Sequence, residues 1–205
     1  MTAFLLLPLA YLVGAVPTSH WVGKGVYRVD LRTVGSGNLG ATNTFRVLGW
    51  KAAIPVLLLD ALKGWLPTWL FPELAGVGTS FGWALAYGAA AILGHVFSVW
   101  VRFRGGKGVA TSAGVLVALA PWAVLVGAGV WGLTLFVTRM VSVASILAAL
   151  LVPPAVALTP HRGGSAMFWF SVGLAAFVMW AHRANIGRLL RGEEHRFGRA
   201  REGTP

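Results

Sequence analysis

The sequence predicts an all-α, polytopic membrane protein with seven transmembrane helices and cytoplasmic motif loops. Three observations carry that expectation. Hydrophobic residues make up 57% of the 205 and charged residues only 11%, where a soluble domain carries roughly 25% charged. Mean hydropathy is +0.73, and ten tryptophans suit rings placed at the headgroup level of a bilayer. Finally, the basic residues are gathered into the segments between apolar runs.

A span needs about 20 mostly apolar residues, so runs bounded by Gly, Pro or charge clusters were taken as candidates. They fall at 3–22, 54–71, 78–101, 109–120, 122–138, 141–158 and 166–181. The first lacks a basic segment before it and a small-residue cleavage site after it, so it reads as a retained span. The fourth is short and meets the fifth at Pro121, and the competing count is six with one long broken helix. Seven spans with the N-terminus outside put Lys24, Arg28, Arg32, Arg46, Lys51, Arg102, Arg104, Lys107, Arg139, Arg183, Arg188, Arg191, Arg196, Arg199 and Arg201 on one side and Arg162 alone on the other. Lys and Arg in short loops favour the cytoplasm, so that side is read as cytoplasmic. The formal charge of +11 is thereby explained without nucleic acid. One membrane-embedded domain, 1–205, is expected, ending in a short basic tail at about 183–205.

With no cysteine, disulfides, thiolate metal sites and a Cys nucleophile are excluded. The six acids are scattered, which makes no convincing metal site, and no cofactor is called for. Chemistry is expected instead in three clusters. In Gly35-Ser36-Gly37-Asn38-Leu39-Gly40-Ala41-Thr42-Asn43, with Arg46 three residues on, glycines free the backbone to aim N–H groups at one point and Ser, Asn and Thr add donors, which makes an anion cradle. The stretch formally matches a dinucleotide fingerprint, with Asp60 downstream, but it follows a membrane span and no βαβ unit surrounds it.

The second cluster runs from Gly94-His95 to Phe103-Arg104-Gly105-Gly106-Lys107-Gly108-Val109. It is not a Walker A loop, because Val101 stands where the first glycine should and Gly108 follows the lysine. Its glycines, the Lys107 charge and the start of a helix still suit an anion. In the third, His182 and Asn185 are three apart and share a helix face. Ser142 and Ser145 have the same spacing at the start of the sixth run, and so do Asp60 and Lys63 inside the second. An intramembrane ion pair is a functional candidate by default, and neutralisation within helix packing is the equal alternative.

Together GSGNLGATNTFRVLG, GHVFSVWVRFRGGKGVATSAG and HRANIGRLLRGEEHR, with DLR, DALKG and TRMVSVAS between and before them, closely resemble the signature loops of the bacterial acyl-phosphate:glycerol-3-phosphate acyltransferases, the PlsY family. The resemblance implies a seven-span inner-membrane enzyme that transfers a fatty acyl group from acyl phosphate to the 1-hydroxyl of sn-glycerol 3-phosphate, giving lysophosphatidic acid for phospholipid biosynthesis. It implies Ser36, Gly37, Asn38, Gly40, Thr42, Asn43 and Lys107 around the acyl-phosphate head, and Arg46, Lys107, His182, Asn185 and Ser145, rather than Ser142, around glycerol 3-phosphate. His182, Asn185 and Lys107 are the implied catalytic residues, with either His182 or the substrate phosphate accepting the proton. Membrane lipid and the enzyme that produces acyl phosphate are the implied partners. An anion transporter, disfavoured because the motifs cluster at one interface rather than near the midplane, and a scaffold binding anionic lipid through the tail arginines are the rival classes. Product formation by the purified protein separates them.

The charge segregation sets a test. Single cysteines placed at positions 37 and 106 of this cysteine-free chain should resist an impermeant thiol reagent added outside intact cells and react after lysis; labelling from outside would reverse the orientation.

Overall fold

The computed structural model describes residues 1–197, and its described residues form helices and loops without a strand. In chain order the helices are α1 (Thr2–Ala15), α2 (Thr18–Val26), α3 (Ala41–Leu48), α4 (Trp50–Leu74), α5 (Phe81–Val96), α6 (Val109–Leu119), α7 (Pro121–Thr138), α8 (Val141–Leu158), α9 (Gly164–Ala181) and α10 (Arg183–Leu190), with a 3₁₀ turn at Val99–Val101. Arg199 and Arg201 of the expected tail lie outside the described residues.

Among the described residues, five helical stretches are long and apolar enough to cross a bilayer: Trp50–Leu74, Phe81–Val101, Pro121–Thr138, Val141–Leu158 and Gly164–Ala181. The expected first span is a bent pair, α1 and α2 meeting at 44°, and counts as a sixth if taken together. The break falls at Val16-Pro17, where proline removes a backbone donor. Helix α6 has 11 residues, about 16 Å at 1.5 Å per residue, roughly half a hydrocarbon core. It stops at Ala120 because Pro121 opens the next helix, with proline at its first position where no donor is needed.

Small residues bring the helices into backbone contact, the packing expected where lipid provides no hydrophobic drive between helices. A Cβ on Gly14 of α1 would run into the Ala91 backbone of α5, and one on Gly94 into Tyr11. Likewise Gly64 of α4 lies against Thr111 of α6, and Gly114 of α6 against Ala61 of α4. The Tyr11 hydroxyl then donates to the Phe97 carbonyl at 2.6 Å and Tyr87 to that of Ala3 at 2.9 Å. The main apolar core lies between α5, α6, α7, α8 and α9, around Val115, Leu119, Ala123, Val156 and Met167.

The intramembrane pair sits at the α1–α2 break. Lys63 is 2.6 Å from the Asp60 carboxylate and donates to the Val16 carbonyl at 2.8 Å. Asp60 accepts from Thr18 at 2.8 Å, and His95 Nδ1 lies 3.7 Å from the same oxygen. Of the two roles open in the sequence, this geometry supplies a packing one, the satisfaction of polar groups around a broken helix within lipid.

Because Gly114 packs directly on the α4 backbone, Gly114→Ala should destabilise the protein by about 1–3 kcal/mol through overpacking. Gly129→Ala on α7, with open space around it, should not. Melting temperatures of the two variants in detergent decide the matter, and equal values would contradict the close α4–α6 crossing.

Candidate active site

The three motif loops and the start of α8 meet around one cavity of about 720 Å³. Its mouth is polar. Ser36, Gly37, Asn38, Gly40 and Thr42 of the first loop line it, with Arg46 of α3, Lys107 and Gly108 of the second loop, Ser142 and Ser145 of α8, and His182, Asn185, Arg188 and Glu194 of the third. Below the mouth the lining turns apolar along α6, α7, α8 and α9.

The first loop is organised from within by Asn43, which is 1% exposed and does not line the cavity. Its side-chain amide donates to the carbonyls of Leu31 at 3.0 Å and Val34 at 3.1 Å, and its oxygen accepts from the Ser36 N–H at 2.8 Å. All its polar capacity toward the loop is engaged, so the structure places it behind the cradle rather than in it. Gly35 and Gly37 take positive φ, 65° and 68°, which wraps the chain around that amide. Just before the loop, the Arg32 guanidinium holds the Asp30 carboxyl well below the usual carboxylate range.

The second loop is tied back onto α5. Gly105 N–H donates to the Val96 carbonyl at 3.0 Å and Gly106 N–H to that of His95 at 3.2 Å. A Cβ on Gly106 would strike the His95 ring and the Leu39 carbonyl of the first loop. Glycine there lets the two loops touch. Gly108, with φ 78°, then starts α6.

Lys107 leaves this loop to donate to the Asn185 side-chain oxygen. Burial pushes its ammonium down to about 8, an effect that Glu194 opposes and Arg188 and Arg46 reinforce. His182, 3% exposed, has Nδ1 2.8 Å from the Val178 carbonyl. A carbonyl only accepts, so Nδ1 carries the proton and the neutral ring keeps Nε2 as an acceptor. Burial and then the Lys107 charge lower it to about 4. Arg46 is lowered by burial, with Arg188 adding to the effect.

Glu194 answers these cations at the mouth, while Asp60, which also lines the cavity, is engaged by Lys63. Glu194 accepts from Asn185 at 2.6 Å, Ser142 at 2.8 Å and Arg188 at 2.8 Å. Burial alone would raise its carboxyl, but these hydrogen bonds outweigh burial and leave it lowered. The two serines are thereby distinguished: Ser142 donates to Glu194, whereas Ser145 accepts from Trp131 at 3.2 Å and keeps its own O–H to give.

Sequence reasoning assigned no role to Arg188, Glu194 or Ser112. Arg188 stands three residues after Asn185 on α10, a spacing that would have flagged it. Glu194 is an acid in a basic tail, with no pattern to single it out. Ser112, near the start of α6, lines the cavity with a buried hydroxyl that has no hydrogen-bond partner among the described residues.

Glycine-rich loops, hydroxyls and cations at the mouth of an apolar shaft, carried on membrane-length helices, define a membrane protein with a large amphipathic cavity. The family model of glycerol-3-phosphate acyltransferase matches residues 4–192. Relatives of that name include one from Chlorobium phaeobacteroides, 40% identical over 97% of this chain and 99% of its own, and one from Fusobacterium nucleatum, 42% identical over 96% and 99%. The crystal structure of PlsY, an integral membrane glycerol 3-phosphate acyltransferase, in its glycerol 3-phosphate form superposes with a TM-score of 0.86 at 38% identity, covering 97% of this chain and 96% of that one. Its lysophosphatidic acid form gives 0.84 at 36% identity over the same shares. The chain belongs to the glycerol-3-phosphate acyltransferase family of integral membrane enzymes.

The Lys107 environment predicts a pH effect. Its charge is present below about 8 and lost as pH rises through that value, so sulfate, which does not titrate there, should raise the melting temperature below pH 8 and progressively less above it. Lys107→Arg should keep the stabilisation at high pH and Lys107→Met lose it throughout. A sulfate effect flat across this range in the unmodified protein would remove Lys107 from the anion site.

Proposed function

We propose that the protein transfers a fatty acyl group from acyl phosphate to the 1-hydroxyl of sn-glycerol 3-phosphate, releasing inorganic phosphate and lysophosphatidic acid. The observation that carries this reading is the convergence of a glycine-rich donor loop and a separate cluster of cations on one apolar shaft, with Lys107 shared between them. Two anionic heads must approach each other, and an acyl phosphate already carries a good leaving group. The protein is then asked mainly to position the pair and offset their repulsion. The solved PlsY forms, with glycerol 3-phosphate in one and lysophosphatidic acid in the other, supply a substrate and a product of this chemistry in a close relative.

Ser36, Gly37, Asn38, Gly40 and Thr42 cradle the acyl-phosphate head, Asn43 supports that loop from behind, and the acyl chain enters the shaft. Arg46, Lys107, Ser145, His182 and Asn185 hold glycerol 3-phosphate. The substrate hydroxyl oxygen forms its bond to the acyl carbon as the bond from that carbon to phosphate breaks. The hydroxyl proton goes to His182 Nε2 or to the glycerol 3-phosphate phosphate group, and an anion bound beside His182 would raise its basicity. Ser145 rather than Ser142 is supported by its free O–H. The setting is a single domain, 1–205, of the bacterial inner membrane, with seven spans, the N-terminus outside and the site facing the cytoplasm, near the enzyme that makes acyl phosphate. The positive-inside charge pattern supports this orientation, and the seventh span requires α6 to cross by itself.

Direct transfer is favoured over a covalent acyl-enzyme. None of the five histidines is followed four residues later by Asp, the base and orienting partner of the soluble-type acyltransferases, and cysteine is absent. Purified protein incubated with radiolabelled palmitoyl phosphate alone should remain unlabelled, and should form lysophosphatidic acid when glycerol 3-phosphate is added. Stoichiometric acylation of the protein, or equal turnover with acyl-CoA, would overturn the donor and the mechanism.

A further inference from the structure

We propose that Gly127 of α7 and Val152 of α8 form a chain-length gauge at the floor of the shaft, setting which acyl donors the enzyme prefers. This rests on the acyl-transfer reading above and goes beyond it to the class of chain accepted.

The shaft can be followed down each helix from the polar mouth. On α8 the lining runs from Ser145 through Ala148 and Ala149 to Val152, and on α9 from Val178 through Leu174 to Ser171. From His182 to Ser171 is about 16 Å at 1.5 Å per residue. One turn further along, the lining stops on every helix. Ala155 and Val156 of α8, Met167 of α9, Leu119 of α6 and Ala123 of α7 are buried in a single packed cluster, and none of them borders the cavity. Leu116, Val152 and Leu174 belong to both sets. With Val124 of α7, which also borders both, and Ser171 of α9, they mark where open space gives way to close packing.

Gly127 stands one turn short of Val124, the deepest lining residue of α7, and faces Val152, the deepest of α8. Ala123 and Gly127, four residues apart, are the buried residues of α7, and a Cβ at 127 would lie 3.3 Å from a Val152 methyl. A larger side chain there would press on Val152 and narrow the shaft just above its floor. Glycine leaves the last stretch open, and the Val152 methyls close it. Neither residue carries a polar side chain or a hydrogen-bonding duty toward the substrate heads, so their lever is space alone.

The experiment measures kcat/KM for saturated acyl phosphates from octanoyl to stearoyl with glycerol 3-phosphate, in unmodified protein and in Gly127→Val, Gly127→Leu, Val152→Ala and Gly129→Val. Each methylene denied the shaft should cost about fourfold, the equivalent of about 0.8 kcal/mol. Gly127→Val and Gly127→Leu should therefore lower the palmitoyl-to-decanoyl ratio by at least about tenfold, and Val152→Ala should move the optimum toward longer chains. Gly129→Val, with open space around its position, should retain the unmodified profile. Val152→Ala and the Gly129 control keep the test decisive if the Gly127 variants fold poorly. Turnover of palmitoyl phosphate by unmodified protein tests the acyl-transfer reading by itself. Given that turnover, a uniform loss across all donors, or profiles unshifted in both Gly127→Val and Val152→Ala, overturns the gauge alone.

Discussion

A break between two helices frees backbone carbonyls that must find other partners, and much of the arrangement here follows from how one such carbonyl is met. Val16, at the turn between α1 and α2, receives the Lys63 ammonium. Lys63 is tolerable in lipid because Asp60 lies one helical turn before it. Asp60 in turn accepts from Thr18 on the far side of the break and stands beside His95. His95 packs against Gly106, whose N–H is tied to the His95 backbone. A buried ion pair is weak evidence for net stability, but this one fixes where α2 departs and where the Lys107 loop begins. The mouth of the cavity thus inherits its shape from a polar cluster within the membrane.

Charge at that mouth is unbalanced by design of the sequence. Arg46, Lys107 and Arg188 gather around Glu194, whose hydrogen bonds reach three residues of the surrounding elements. Burial first, and then the charge of Arg188, lowers both Lys107 and Arg46. Such a cluster is relieved by an anion. Deeper in the cavity the requirement changes from charge to space. Small residues on α6, α7 and α8 hold the shaft open until the larger core side chains close it.

The sequence readings diverge from the structure where local pattern and packing part company. Asn43 looked like one more donor in a loop of donors, yet a side chain that can grasp two carbonyls and an N–H at once is drawn to the loop's own backbone. The run at 3–22 read as one apolar span because hydropathy does not register a 44° bend. Glu194 and Ser112 carried no periodic or motif signal, since their relevance comes from what α8 and α10 bring beside the one and what the shaft leaves open beside the other.

Apolar runs, the shortage of charge and the placement of Lys and Arg were enough to determine a helical membrane protein, because backbone in lipid has few ways to satisfy itself. Glycine-rich polar loops were enough to raise the expectation of anion sites, because those residue types allow close backbone approach whatever surrounds them. Tertiary structure alone decided that three loops separated by scores of residues share one mouth, that Lys107 meets Asn185, and that the apolar shaft ends at Val152. These depend on helices crossing at Gly64 and Gly114 and at Gly14 and Gly94. A glycine declares in the sequence that something can come close, but which backbone arrives there is settled only when every helix has found its neighbours.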